Sequence, residues 1–132
     1  MILLDTHIWV WWVHGSSRLG SRSLEILEEH ESTGMALSVF SCWEVAKLVE
    51  RGRMDLGLPV GDWMETALSY PGVELLGLTP EIVVESTQLP GTFHRDPADQ
   101  LIVATARVEG MALATCDQKL LAYPQVDTLD LR

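Results

Sequence analysis

Asp96-Pro97-Ala98-Asp99-Gln100-Leu101-Ile102-Val103-Ala104-Thr105-Ala106-Arg107-Val108-Glu109-Gly110-Met111-Ala112-Leu113-Ala114-Thr115-Cys116-Asp117 reads as a capped helix that runs into a strand and ends on an acid. Asp96 before Pro97 has the form of an N-cap with proline at the first helical position, where its missing N–H costs nothing. The helix is expected from Pro97 to Glu109, with Gly110 as its stop. The strand follows at once, from Met111 to Ala114. Helix-like and strand-like runs alternate in the same way through the rest of the chain, which is the pattern of an α/β fold with a parallel sheet.

Working outward, further strands are expected at Ile2 to Leu4, Ala36 to Val39, Val73 to Leu76 and, more weakly, Val126 to Leu129. Helices are expected near Thr6 to Val13, Ser21 to Glu31, Ser41 to Arg51, Gly61 to Ser69 and Pro80 to Gln88. Thr79-Pro80 repeats the cap-then-proline signal. Ser41-Cys42-Trp43-Glu44 has the S-x-x-E form of a capping box, with Ser41 as the cap and Glu44 reaching back. No repeat or low-complexity linker interrupts the alternation, so residues 1 to 132 are read as a single domain.

The chain has 132 residues, 47% of them hydrophobic, and is long enough to bury a core without metal or disulfide staples. The first apolar run, Met1 to Leu4, is too short for a secretory segment, and no stretch has bilayer-spanning length, so no membrane partner is expected. Cys42 and Cys116 match neither a disulfide framework nor a zinc spacing, and a reduced, cytoplasmic setting is expected. The formal charge of −10 argues against a broad phosphate-binding footprint. A nucleic-acid substrate must therefore be held locally, by metal at carboxylates and by small basic groups such as Lys47, Arg51 and Arg53.

Four acids stand where ligands of parallel sheets bind, outside the carboxyl ends of the strands. Asp5 follows the first strand, Glu44 the second, Asp99 begins the long helix, and Asp117 follows the strand ending near Thr115. Carboxylates packed together cannot all stay ionised without a cation. Hard oxygen ligands suit Mg²⁺ or Mn²⁺, which activate water and stabilise charge on a phosphodiester under attack. Each acid also has a plainer reading: Asp5 as the cap of the helix at Thr6, Glu44 as the capping-box partner or half of a solvated ion pair with Lys47 or Arg51, Asp117 as another cap. Asp96 already has a capping task, whereas Asp99 lies in line with Ile102, Val103 and Ala106 and is the better ligand, leaving Asp96 a supporting role. Thr115 is placed to hydrogen-bond a metal-bound water or phosphate.

Taken together, Leu4-Asp5-Thr6-His7, Ser41-Cys42-Trp43-Glu44-Val45-Ala46-Lys47, His94-Arg95-Asp96-Pro97-Ala98-Asp99-Gln100 and Thr115-Cys116-Asp117 resemble the PIN domain, and within it the VapC type of prokaryotic toxin–antitoxin pairs. The resemblance runs end to end. It implies a three-layer α/β/α fold with a central parallel sheet and Mg²⁺- or Mn²⁺-dependent endoribonuclease activity. It also implies a homodimer, RNA as substrate and inhibition by a VapB-like antitoxin. The acidic quartet it marks as catalytic and metal-binding falls on Asp5, Glu44, Asp99 and Asp117, with Asp96, Thr115, Thr6 and Trp43 in support. The chain departs from the family pattern at Ala98, usually aromatic, and at Gln100, usually arginine.

Trp9, Trp11 and Trp12 are expected to fill the core or a dimer interface, while Trp43, beside Glu44, is a candidate for stacking on a base. His7 and His94 are expected beside the site without ligating metal. Two other classes remain in view: a PIN-fold interaction module with a silent site, and a phosphotransfer domain of the receiver or haloacid-hydrolase kind. The second needs a further acid close behind Asp5, where this chain has Thr6-His7.

Overall fold

A computed structural model describes residues 1–132. In chain order its elements are β1 (Ile2–Leu4), α1 (Thr6–His14), α2 (Ser21–His30), β2 (Met35–Ser38), α3 (Val39–Glu50), α4 (Val60–Leu68), β3 (Val73–Leu76), α5 (Pro80–Ser86), α6 (Pro97–Glu109), β4 (Ala112–Thr115), α7 (Gln118–Leu121) and β5 (Thr128–Asp130). The strands form one sheet in the order β3-β2-β1-β4-β5, and every pairing is parallel. β1 lies at the centre, with Ile2 opposite both Met35 and Ala112.

Alternation along the central strands builds two cores, one on each face of the sheet. Ile2, Leu4, Met35, Leu37 and Ala114 point to one face, where they meet Ile8 and Trp9 of α1, Leu27 of α2, Val45 of α3 and Trp63 of α4. Leu3, Ala36 and Leu113 point to the other, against Ile102, Val103 and Ala106 of α6 and Leu120 of α7. The result is the expected three-layer α/β/α arrangement. No helix is long and apolar enough to cross a membrane.

The caps at Asp96 and Thr79 are as expected: Asp96 Oδ1 accepts from the N–H of Ala98 at 2.9 Å, and Thr79 Oγ1 from that of Ile82 at 3.2 Å. Gly110 ends α6 in the left-handed region at φ 66°. The capping box at Ser41 does not form. α3 begins two residues earlier, at Val39, and its cap is Ser38, whose hydroxyl accepts from the N–H of Phe40 at 3.1 Å. Ser38 serves as both last strand residue and helix cap, so strand and helix abut with no linker. Glu44 is thereby moved into the second turn of the helix, too far along to reach back to the cap. The end strands also differ from expectation by one or two residues. β4 extends through Thr115, which is fully buried, and β5 starts at Thr128.

Candidate metal and active site

Asp5 is the N-cap of α1 and also the inward acid at the end of the central strand. It is only 9% exposed. One carboxylate oxygen accepts from the N–H of Thr6 at 2.8 Å, and the other accepts from the Thr115 hydroxyl at 2.7 Å. The backbone N–H of Asp5 donates to the carbonyl of Ala114 at 3.0 Å, which locks β1 to β4 at this point. Capping and site formation are thus served by the same side chain.

Thr6 carries the connection onward. Its hydroxyl lies 2.6 Å from Glu44 Oε1 and 2.8 Å from Ser41 Oγ. A hydroxyl has one proton and an ionised carboxylate only accepts, so Thr6 donates to Glu44 and receives from Ser41. Ser41 is fully buried, and the task it performs is this relay rather than a cap. Lys47, on the same helix as Glu44, pairs with Glu50 at 2.7 Å, so no ion pair with Lys47 accounts for Glu44. Thr6→Val is expected to cost roughly 1–3 kcal/mol in chemical unfolding, because Ser41 and Glu44 both lose a partner in a largely dry setting. Thr6→Ser should restore most of it.

Asp99 is half-buried on the first turn of α6 and lies 2.6 Å from His94 Nε2 through Oδ2. Gln100 steadies that histidine by donating from Nε2 to the His94 carbonyl at 3.1 Å, and the Phe93 ring stacks on the imidazole at 4.3 Å. Gln100 therefore holds the loop that orients Asp99. Asp117 is exposed and caps α7 by accepting from the N–H of Lys119 at 2.8 Å, while Thr115 Oγ1 accepts from the N–H of Asp117 at 3.0 Å.

Burial pushes the carboxyls of Asp5, Glu44 and Asp99 above the ordinary range. Hydrogen bonds from Thr115 to Asp5, from Thr6 to Glu44 and from His94 to Asp99 work against that rise. Mutual repulsion adds to it: Asp99 acts on Asp5, and Asp5 and Asp99 both act on Glu44, while Asp96 and Asp117 act on Asp99. Asp5, Glu44 and Asp99 thus share one field, although no three His, Cys, Asp or Glu side chains close around a single point as a finished ion cage. Neither Asp5 nor Glu44 has a lysine or arginine partner.

Sequence reading placed the acids but not the hydrogen bonds that join them. S-x-x-E points to Ser41 as a cap, which it is not, and the pairing of His94 with Asp99 carries no spacing signal. Two clefts open beside the carboxylates. One, of about 450 Å³, includes Phe40, Trp43, Glu44, Lys47 and Asp96. The other, of about 300 Å³, includes Asp5, His7, Trp11, Arg18 and Asp117.

Residues 2–126 match the PIN domain family. The chain belongs to the PIN domain family. Among individual members, it is 34% identical over 122 residues to ribonuclease VapC22 of Mycobacterium tuberculosis, covering 92% of this chain and 91% of that one. The PIN fold is also that of VapBC2 from Rickettsia felis, solved bound to a DNA fragment from its promoter (TM-score 0.75, 19% identity, all of both chains). A toxin–antitoxin complex from Klebsiella pneumoniae matches with a TM-score of 0.67 at 21% identity over 97% of each chain.

Proposed function

We propose that this PIN domain is an endoribonuclease toxin of the VapC type, hydrolysing RNA phosphodiester bonds at Asp5, Glu44, Asp99 and Asp117 with Mg²⁺ or Mn²⁺. The observation that carries this reading is the trio of buried Asp5 with half-buried Glu44 and Asp99. These acids act on one another at the carboxyl edge of a parallel sheet, without a lysine or arginine ion pair to balance Asp5 or Glu44, in a chain 34% identical to a ribonuclease. The fold shared with VapBC2 and with a toxin–antitoxin complex supports a VapB-like antitoxin as partner. Action as a homodimer in the cytoplasm belongs to the same reading.

The donor set fits a hard divalent cation. All four candidates offer oxygen, and their surplus negative charge is what a dication offsets. Mg²⁺ commonly keeps several waters and takes one or two carboxylates directly, so ligands spaced more widely than a closed cage still suit it. Asp5, Glu44, Asp99 and Asp117 would hold the ion in this reading. Thr6, Ser41, Thr115 and His94 hold the carboxylates in place. When bound, the ion lowers the pKa of attacking water and stabilises charge on the phosphate.

The test is cleavage of total RNA by purified protein with Mg²⁺ or Mn²⁺. Growth arrest on expression, relieved by a co-expressed antitoxin, is the cellular counterpart. No cleavage under any divalent ion would favour a silent PIN-fold interaction module instead.

A pH dependence follows from the raised carboxyls. A folded-state pKa above the unfolded one means that the folded chain keeps a proton the unfolded chain releases. Stability of the metal-free protein should therefore fall as pH climbs from the ordinary carboxyl range, about 4, through the raised values, and return on acidification. Asp130, held at about 2 by Arg132, acts oppositely but only at lower pH, losing its contribution as pH falls from its ordinary value toward 2. With chelator present, Tm should rise as pH is lowered from neutral toward the ordinary carboxyl range. Added Mg²⁺ should raise Tm more at pH 7.5 than at pH 5, and this difference should vanish in Asp5→Asn.

A further inference from the structure

We propose that two tryptophan–cation pairs, Trp43 with Lys47 and Trp11 with Arg18, are subsites that hold unpaired RNA nucleotides on either side of the carboxylates. This rests on the ribonuclease reading and names the residues that position the strand at its acids.

Trp43 is 55% exposed, an unusual placement for so large an apolar ring, and it stands next to Glu44 on α3. Lys47 Nζ lies 5.8 Å from its ring centre, and the Phe40 ring tilts against it at 5.3 Å. The arrangement recurs across the site. Arg18 Cζ lies 5.7 Å from the ring centre of half-buried Trp11, and the exposed His7 ring tilts against that tryptophan at 5.9 Å. The two pairs occupy the two clefts: the first cleft shares Glu44 and Asp96 with the acidic site, and the second shares Asp5 and Asp117. Thr6 joins them, holding Asp5 through its backbone and Glu44 through its hydroxyl. Both clefts fall near the roughly 300–1,000 Å³ typical of small-ligand pockets.

An aromatic face with a cation beside it offers a nucleotide two contacts at once, stacking for the base and charge for its phosphate. Base faces are available only where the strand is unpaired, since a duplex hides them in its own stack. Charge points the same way. The chain carries −10 overall, with nine basic residues, and so repels an extended duplex backbone. Lys47, which also pairs with Glu50, and Arg51 line the first cleft and Arg18 the second, positive charge enough for a short segment drawn across the acids. The segment's central phosphate then lies at the carboxylates, with a neighbouring base on each tryptophan.

The test measures binding of a fluorescein-labelled, unstructured 10-nucleotide RNA in the Asp5→Asn background, and of the same sequence in duplex form. Trp43→Ala should weaken single-strand binding about tenfold, and Trp43→Phe should recover most of it. Arg18→Gln changes an exposed side chain and leaves the core alone. It should lower the slope of log affinity against log salt by about one. In cleavage assays on the Asp5 chain, both effects should appear mainly in KM. Duplex binding as tight as single-strand binding, or parental binding by Trp43→Ala, would overturn the proposal. So would a Trp43→Ala variant that keeps RNA binding and loses only its hold on a co-expressed antitoxin, since the groove would then be a protein site. If the parent cleaves RNA while the variants keep its KM, the subsites are refuted and the ribonuclease reading stands. If the parent neither binds nor cleaves RNA with Mg²⁺ or Mn²⁺, both fall.

Discussion

Replacing Asp5 by asparagine is expected to reduce RNA cleavage ~100-fold or more while making the metal-free protein harder to melt. The two effects share one cause. Asp5 is nearly buried, has no lysine or arginine partner, and repels Asp99 and Glu44, so its charge weighs against folding and is useful only to a ligand. Asparagine has nearly the same shape. Its oxygen still accepts from Thr6 N–H, and its nitrogen faces the Thr115 hydroxyl, which turns to accept. Asp99→Asn should follow the same pattern more weakly in stability, because His94 already offsets part of its charge. Differential scanning fluorimetry with chelator, run beside an RNA cleavage assay, reads both effects. Parental cleavage by Asp5→Asn would remove this residue from the mechanism. A loss of activity accompanied by a lower Tm would mean that the substitution damages the fold instead.

Trp9→Ala should be the most destabilising single change in the molecule, by about 3–5 kcal/mol, a large share of the ~5–15 kcal/mol that holds a typical domain together. Trp9 is fully buried on α1 between the sheet and Trp63, whose ring meets it edge-on at 5.0 Å. Alanine leaves a cavity that the sheet beneath cannot close. Trp9→Phe should cost far less, for a reason beyond its smaller loss of volume: the Trp9 indole N–H is buried with no acceptor, and phenylalanine removes that unmet donor. Urea unfolding at constant m-value gives both numbers. Near-equal costs for the alanine and phenylalanine variants would show that neither filled volume nor a ring against Trp63 is enough, and that the indole itself is what the position requires. That tryptophan is anchored separately, since its indole N–H donates to His14 Nε2 at 2.7 Å, which fixes His14 as the tautomer protonated on the other nitrogen.

The α/β class, the parallel sheet and the long helix from Pro97 to Glu109 were legible because periodicity, caps and glycine stops agreed at each of them. Asp5, Glu44 and Asp117 were legible for a related reason: in a parallel sheet, chain position behind a strand end largely fixes spatial position, whereas Asp99, separated from β3 by α5, was legible only from the helix start at Asp96-Pro97. Ser41 shows where this reasoning stops. S-x-x-E is a valid cap signal, but Ser38 stood close upstream and was also able to cap, and only the sheet's length decides between them. Ser38 still pairs with Leu76 of β3, so the helix had to start directly behind it. Contacts such as Thr6 with Glu44 or Thr115 with Asp5 link residues far apart in sequence, and no local pattern encodes them.

The strand order has a consequence in time as well as in space. β1 is made before β4, yet β4 is one of its two neighbours, and Asp5 receives its second hydrogen bond from Thr115, 110 residues later. Parallel pairing over such a separation is slow to form because a long loop must first close. A growing polypeptide therefore carries Asp5 and Glu44 from early on without the framework that gathers them. The reactivity of this site is withheld until the chain has been made as far as Thr115. An interrupted product ending before Thr115 would be inert.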